Sequence, residues 1–230
     1  KAAGHLDAGA HRVVISAPSD DADAIFVYGV NHQTYDKSKH QVVSAASCTT
    51  NCLAPLVKVL HESFGVDNVV MTTVHAYTSS QSLVDLPTRK RRRGRAAAMS
   101  IIPTTTGAAK ATEKVLPELA GRIDGMAMRV PVPDGSVVDC VARLKRDVTA
   151  EEVNQALREA AGKPPLERIL RVTDEALVSA DILGDPHSSI VDAQSTMVVV
   201  GNTAKVIAWY DNEWGYSARL VDLAHYMTRD

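Results

Sequence analysis

Residues 42–64 read Val42-Val-Ser-Ala-Ala-Ser-Cys-Thr-Thr-Asn-Cys-Leu-Ala-Pro-Leu-Val-Lys-Val-Leu-His-Glu-Ser-Phe64, and the pattern changes period partway along. Val42–Ala46 is a short apolar run that suits a buried strand of a mostly parallel sheet. From Thr49 to Phe64, the residues Leu53, Leu56, Val57 and Leu60 share one helical face, and Gly65 stops the helix. Cys48 stands at the junction, with Ser47, Thr49, Thr50 and Asn51 around it. Helix-terminal N–H groups lower a thiol pKa there, and the hydroxyls can donate to a developing oxyanion. A cysteine is more often a small buried hydrophobe. Cys52, one turn on beside Leu53 and Leu56, fits that reading, as does Cys140 in the alternating run Val137–Leu144. A metal pair from Cys48 and Cys52 lacks a second Cys/His cluster, so no metal site is expected.

Upstream, the apolar runs Val13–Ile15 and Ile25–Tyr28 read as two more strands, after a short helix over Lys1–Gly9. Downstream, Asp67–Val74 reads as a strand and Tyr77–Arg95 as a long irregular loop of the kind that carries function. Thr104-Thr-Thr-Gly107 reads as a turn into a helix over Gly107–Leu116. Strands follow at Met126–Val130 and Ser136–Lys145. Thr149-Ala-Glu-Glu152 is a capping box for a helix to about Ala161. Strands at Thr196–Val200 and Ala204–Trp209 flank a Gly201-Asn202 hairpin signal. A last helix carries Tyr216, Leu220, Leu223, Ala224 and Met227 on one stripe.

Composition bounds the function. The 230 residues are 45% apolar and 23% charged, which is globular, and the net charge of 25 − 27 = −2 gives no global attraction to nucleic acid or acidic membranes. No apolar stretch is long enough to span a bilayer. Three cysteines argue against a disulfide framework and for a reducing, cytoplasmic compartment. The chain opens at Lys1 without a Met, and reads as a piece of a longer one.

A nucleophilic thiol needs a base. His75, closing the strand before the long loop, is one choice, but spacing alone does not lift it above His32, His40, His61 or His187. Six of the seven residues at 89–95 are basic, which suits nucleic acid, a solvated loop or the recruitment of small phosphorylated anions. The helix N-terminus at Gly107 suits an anion as well. Arg129 lies inside an apolar run, where a charge is costly unless paired.

Together the motifs resemble phosphorylating glyceraldehyde-3-phosphate dehydrogenase. Ala46-Ser-Cys-Thr-Thr-Asn-Cys-Leu-Ala-Pro55, Val74-His-Ala-Tyr-Thr78, Ile101-Ile-Pro-Thr-Thr-Thr-Gly-Ala-Ala-Lys110, Gly125-Met-Ala-Met-Arg-Val-Pro131 and Trp209-Tyr-Asp-Asn-Glu-Trp-Gly-Tyr-Ser217 stand in the family's order, with Ser16-Ala-Pro18 and Gly29-Val-Asn-His32 before them. The resemblance implies an α/β fold: the remnant of a Rossmann dinucleotide-binding domain over 1–47, a catalytic domain with a mixed, largely antiparallel sheet over 48–212, and a helix over 213–230 packing back on the remnant. It implies Cys48 as nucleophile and His75 as base. Thr78, Arg129 and Arg93 would hold the substrate phosphate, and Ser47, Thr49, Thr106 and Gly107 the attacking phosphate. Ser16, Asn31 and Asn212 would contact NAD; the residues that choose NAD over NADP lie in the part of the family's chain that is absent here. Glyceraldehyde 3-phosphate and inorganic phosphate would be the substrates of a cytoplasmic homotetramer. The basic loop becomes a subunit-interface loop near the cofactor, which demotes nucleic acid as a partner.

Two departures qualify the match. Position 80 is Ser, where many bacterial members carry Asp. Roughly the first third of the family chain is absent, including any Gly-x-Gly-x-x-Gly, so the chain alone is expected to turn over little NAD. Erythrose-4-phosphate dehydrogenase shares the Cys/His core and is the nearest competing activity. Two readings of other classes stand beside it: a redox-inactive interaction or nucleic-acid module using residues 89–95, and a cofactor-free thiol acyl-hydrolase using Cys48 and His75.

Overall fold

The strand-to-helix step at Cys48 joins two sheets. The computed structural model describes residues 2–229. Helix α1 (Gly4–Asp7) is shorter than the expected Lys1–Gly9, and Lys1 lies outside the described residues. Strands β1 (Val13–Ile15), β2 (Ala24–Ile25) and β3 (Val42–Ser44) form a parallel sheet in the order β1-β3-β2. β2 stops at Ile25 rather than running to Tyr28. There the Asn31 amide takes over the backbone, accepting from Val27 N (2.8 Å) and donating to Ile25 O (2.9 Å). The chain leaves β3 through Ala46, a non-glycine residue at φ 58° held by Tyr216 Oη donating to its carbonyl, and enters α2 (Cys48–Phe64). Ser47 caps α2 by accepting from Thr50 N at 3.1 Å. Gly65 ends it at φ 69°, a conformation that favours glycine.

The second sheet holds seven strands: β4 (Val66–Ala76), β5 (Ile102–Thr105), β6 (Ile123–Val130), β7 (Ser136–Leu144), β8 (Leu170–Thr173), β9 (Ser189–Val199) and β10 (Thr203–Tyr210). Their order is β5-β6-β4-β7-β10-β9-β8, with β4–β6 and β8–β9 parallel and the other pairs antiparallel. This is the mixed, largely antiparallel sheet expected. Helices α2, α3 (Ala108–Val115) and α4 (Ala150–Ala161) cover one face, burying Leu53, Leu56, Leu60, Met71, Val138, Cys140 and Leu157 in a common core. The opposite face leaves Val70, Met126, Met197 and Val199 exposed. Helix α5 (Trp214–Met227) returns to the first sheet, where Leu223 and Met227 pack on Phe26, Val43 and Ala45. Within its predicted stripe Ala224 is exposed, while Arg219 is buried, donating to Arg168 O and pairing with Asp222.

Three sequence expectations are corrected. Thr104 and Thr105 are strand, not turn: β5 is an edge strand, the place where a sheet tolerates Pro103. β8 and the first half of β9 carried no alternation strong enough to see. β9 contains the buried Asp192, which accepts from Ser195 N and Oγ where the pairing to β10 shifts register. The β9–β10 loop has three residues rather than two, because Val200 and Gly201 both turn at positive φ and Asn202 is added before Thr203 pairs with Val199.

Gly125 shows how tightly β6 sits on β4. A Cβ there would lie 2.2 Å from Met71 O, a backbone atom that cannot swing away. Gly125→Ala is expected to lower stability by roughly 3 kcal/mol, read as a lower urea midpoint at unchanged m-value.

Candidate active site

The site is built where α2 and β7 begin and β4 and β6 end. Parallel pairing puts His75 of β4 in register with Arg129 of β6. The α2 N-terminus faces the same end of β4, so Cys48 Sγ lies 3.4 Å from His75 Nε2. On the other side of the ring, His75 Nδ1 is 2.7 Å from Ala76 O and 2.7 Å from Arg129 Nη1. Arg129 Nη1 also donates to Ala76 O at 2.7 Å. The strand end is held from β7: Ala76 N donates to Ser136 Oγ (3.1 Å), and Ser136 Oγ donates to Asn212 Oδ1 (2.7 Å). Thus Asn212, from the segment between β10 and α5, is tied to the strand that carries His75. Tyr210 Oη sits between Thr49 Oγ1 (2.9 Å) and Thr73 Oγ1 (2.8 Å), joining α2 to β4 behind the thiol.

The electrostatics reverse one expectation. Burial raises the Cys48 thiol above its usual range, with a smaller rise from the charge of Glu213. The Thr49 backbone N–H, the Thr49 hydroxyl and the Arg129 charge all pull it down, in the direction a helix N-terminus should, but desolvation outweighs them. His75 is pushed down to about 4, by burial first and then by the Arg129 charge. Both shifts run in the direction of the uncharged thiol and the uncharged imidazole. Cys52 and Cys140 are wholly buried with raised pKa values, as core cysteines should be.

Arg129 is a half-buried cation facing the reactive pair. Its Nε is buried without a partner, and among the described residues no carboxylate pairs with it. Thr78 lies just past β4 and hydrogen-bonds Ser80 Oγ (2.9 Å), the position noted above as Ser. Arg93 is on the basic loop, inside the short 3₁₀ turn Arg91–Gly94, and donates to Thr104 Oγ1 (3.0 Å). Burial is what chiefly depresses the Arg129 pKa, and the Arg93 charge adds a small further fall. Ser47 serves as the α2 cap, while Thr106 Oγ1 accepts from Ala108 N (3.2 Å) at the start of α3 with Gly107 exposed beside it. Ser16 is exposed just past β1. Asn31 uses one acceptor and one donor position of its amide within its own loop.

The other histidines have local duties. His32 Nδ1 accepts from Gly29 N, His40 Nδ1 from Asp36 N and His61 Nδ1 from Val66 N, while His187 pairs with Asp185. Sequence reasoning missed Ser136 and Tyr210 as supports of the site. Tyr210 lies in a motif already singled out, whereas Ser136 carried no signal.

Comparison with known proteins agrees with the geometry. A family model described as glyceraldehyde 3-phosphate dehydrogenase, C-terminal domain, matches residues 47–212. The chain is 59% identical over 226 residues to the glyceraldehyde-3-phosphate dehydrogenase of Geobacillus stearothermophilus, covering 98% of this chain and 67% of that protein. It is 57% identical over 219 residues to the Streptomyces coelicolor protein of the same name, covering 95% of this chain and 65% of the relative. It is also 57% identical over 228 residues to glyceraldehyde-3-phosphate dehydrogenase 1 of Bacillus subtilis, covering 99% and 68%. The chain thus spans about two thirds of the length of the curated relatives it matches. A thiol–imidazole pair beside an arginine with no carboxylate partner among the described residues, within a sequence this similar along nearly its whole length, places the chain in the glyceraldehyde-3-phosphate dehydrogenase family.

Proposed function

We propose that this chain carries the catalytic apparatus for oxidative phosphorylation of glyceraldehyde 3-phosphate to 1,3-bisphosphoglycerate, with residues 48–212 as the catalytic domain, 1–47 as the tail of a dinucleotide-binding domain and 213–230 as the helix returning to it. The observation that carries the reading is the contact of Cys48 Sγ with His75 Nε2 at 3.4 Å, beside an arginine with no carboxylate partner among the described residues. His75 Nε2 takes the thiol proton as Sγ bonds to the aldehyde carbon, and the carbonyl electron pair moves to oxygen. That oxygen takes the proton back, giving a hemithioacetal on Cys48. Nε2 removes the hydroxyl proton again as hydride departs, leaving a thioester. A phosphate oxygen then attacks the thioester carbon, and the Cys48 thiolate leaves as the acyl phosphate forms.

Thr78, Arg129 and Arg93 suit the substrate phosphate. Ser47, Thr49, Thr106 and Gly107 suit the attacking phosphate, the last two at a helix N-terminus. The hydride acceptor would be NAD or NADP, which supplies the redox chemistry when bound. The residues present fit its nicotinamide end: Ser16 and the Cys48 junction lie beyond the carboxyl ends of parallel strands β1 and β3, where such ligands sit. Asn212 Nδ2 has only a long 3.4 Å contact to Glu213 Oε1, so it can donate to a carboxamide. The exposed Val70, Met126, Met197 and Val199 on the outer face of the seven-stranded sheet, set around the Lys205–Asp139 ion pair, support a homotetramer. A cytoplasmic setting suits the free cysteines, and among the described residues no helix is long and apolar enough to cross a membrane.

The test joins the chain to the part of the Geobacillus relative that it does not cover. With NAD, glyceraldehyde 3-phosphate and inorganic phosphate, absorbance at the NADH band should rise steadily, and omitting phosphate should stop it after one turnover. Steady NADH formation without phosphate, or none at all, would refute the reading. Arg129→Met in the same protein should lower kcat/KM for the phosphorylated aldehyde by about 10- to 100-fold, the scale of a lost charge-assisted contact.

A further inference from the structure

We propose that Ser136 is a positioning residue for the cofactor: its hydroxyl holds the Asn212 side-chain amide with the NH2 end outward, so that the site offers the nicotinamide carboxamide a donor and selects its oxygen. The inference deepens the dehydrogenase reading and rests on the assignment of Asn212 to that carboxamide.

Ser136 opens β7 opposite Tyr210, the last residue of β10, and Asn212 follows just beyond it. Ser136 and Asn212 are both buried. Among the described residues Ser136 Oγ has two partners, Ala76 N at 3.1 Å and Asn212 Oδ1 at 2.7 Å. A backbone N–H only donates, so Ala76 takes one lone pair of Oγ. The hydroxyl hydrogen remains to be placed, and the network decides which way the amide lies. If the amide were turned over, its NH2 end would donate to Oγ, and the hydroxyl hydrogen would be buried with no acceptor among the described residues, which is costly. The amide oxygen would then face Glu213 Oε1 at 3.4 Å, acceptor against acceptor. With the hydroxyl donating to Oδ1, both conflicts disappear, and Nδ2 faces the Glu213 carboxylate.

The free end of the amide is therefore a donor. It lies toward the reacting centre, since the Glu213 carboxylate it faces is close enough for its charge to act on the Cys48 thiol. An asparagine without such a neighbour can rotate half a turn and present either end. The Ser136 hydroxyl removes that choice. The same oxygen accepts from Ala76 N, next to His75, so one buried atom ties the cofactor anchor to the strand end that carries the base.

Fluorescence titration of the chain joined to the Geobacillus segment tests this with three dinucleotides. They are NAD, its thionicotinamide analogue, in which a weakly accepting sulfur replaces the carboxamide oxygen, and its 3-acetylpyridine analogue, which keeps the carbonyl and lacks the NH2 group. The acetylpyridine analogue should bind within about 3-fold of NAD and the thionicotinamide analogue about 5- to 10-fold more weakly, the scale of one hydrogen bond. The reverse ranking would show Oδ1 facing the ligand and overturn the inference without any substitution. Ser136→Ala should weaken NAD binding several-fold and bring the thionicotinamide-to-NAD ratio of Kd values toward one, because the amide is then free to turn; if that variant does not fold, the ranking in the unsubstituted protein carries the test. In an Asn212→Ala background, Ser136→Ala should cost no further NAD affinity. An unchanged ratio in Ser136→Ala, or losses that add, would make Ser136 a structural residue and overturn the inference. If Asn212→Ala alone leaves NAD affinity unchanged, the Asn212 assignment falls and the inference with it, while phosphate-dependent NADH formation still decides the dehydrogenase reading.

Discussion

Cys48→Ala is expected to cut phosphate-dependent NADH formation by on the order of 10⁵-fold, the scale on which loss of a covalent nucleophile leaves only binding and electrostatics. The structure makes this a clean substitution. Cys48 is half-buried at the first turn of α2, whose cap is the Ser47 side chain and whose core face is Leu53, Leu56 and Leu60. Removing the sulfur leaves the helix and its cap intact, so stability should move by less than about 1 kcal/mol while chemistry disappears. Cys52→Ala is the control. Its thiol is wholly buried against Ser189 and Ala208, so stability should fall while most activity remains. Urea midpoints and initial rates measured on both variants separate the two cysteines. Comparable losses of activity from each would refute the division of labour.

His75→Asn is expected to lower kcat by about 10³-fold, within the usual range for a general base. It should also change the pH dependence of stability. The folded chain keeps His75 neutral down to about pH 4, whereas an unperturbed histidine protonates near 6.5. Between those values the unfolded chain binds more protons than the folded one, so stability falls as the pH falls. The contribution is full above about pH 6.5 and has been lost by about pH 4. The whole shift corresponds to about 3 kcal/mol. Urea midpoints from pH 7 to 4 should therefore decline less steeply in His75→Asn than in the unsubstituted chain. Identical slopes would mean that His75 is not held neutral by its surroundings. Carboxylates with depressed pKa values, such as Asp185 at about 2, act mainly below this window.

Some of the architecture was legible because it is written locally. The switch from apolar run to helical stripe at 42–64, the capping box at Thr149 and Glu152, and the alternation through β7 each depend on neighbours a few residues away. β5 and β8 were not legible, because short edge strands draw their stability from the sheet they join. The site divides in the same way. Its motifs could be read in order, yet nothing in the spacing distinguished His75 from four other histidines. What distinguishes it is that His75 touches the thiol while the others serve their own turns and caps. Asn31, in a matching motif, also has a local duty that its position in the sequence did not show, bridging Val27 N and Ile25 O.

By itself the sequence determined the family, the α/β class and the residue types of the site, since these follow from local period and from motifs in a set order. Tertiary structure alone decided the chemical state of that site. Cys48 and His75 are 27 positions apart, and Arg129 is 54 beyond His75. They meet because α2 begins where the two parallel strands β4 and β6 end. Burial then raises the thiol, lowers the imidazole and leaves an arginine with no carboxylate partner among the described residues. Desolvation and hydrogen-bond direction depend on every group within a few ångströms, and most of those groups come from distant parts of the chain.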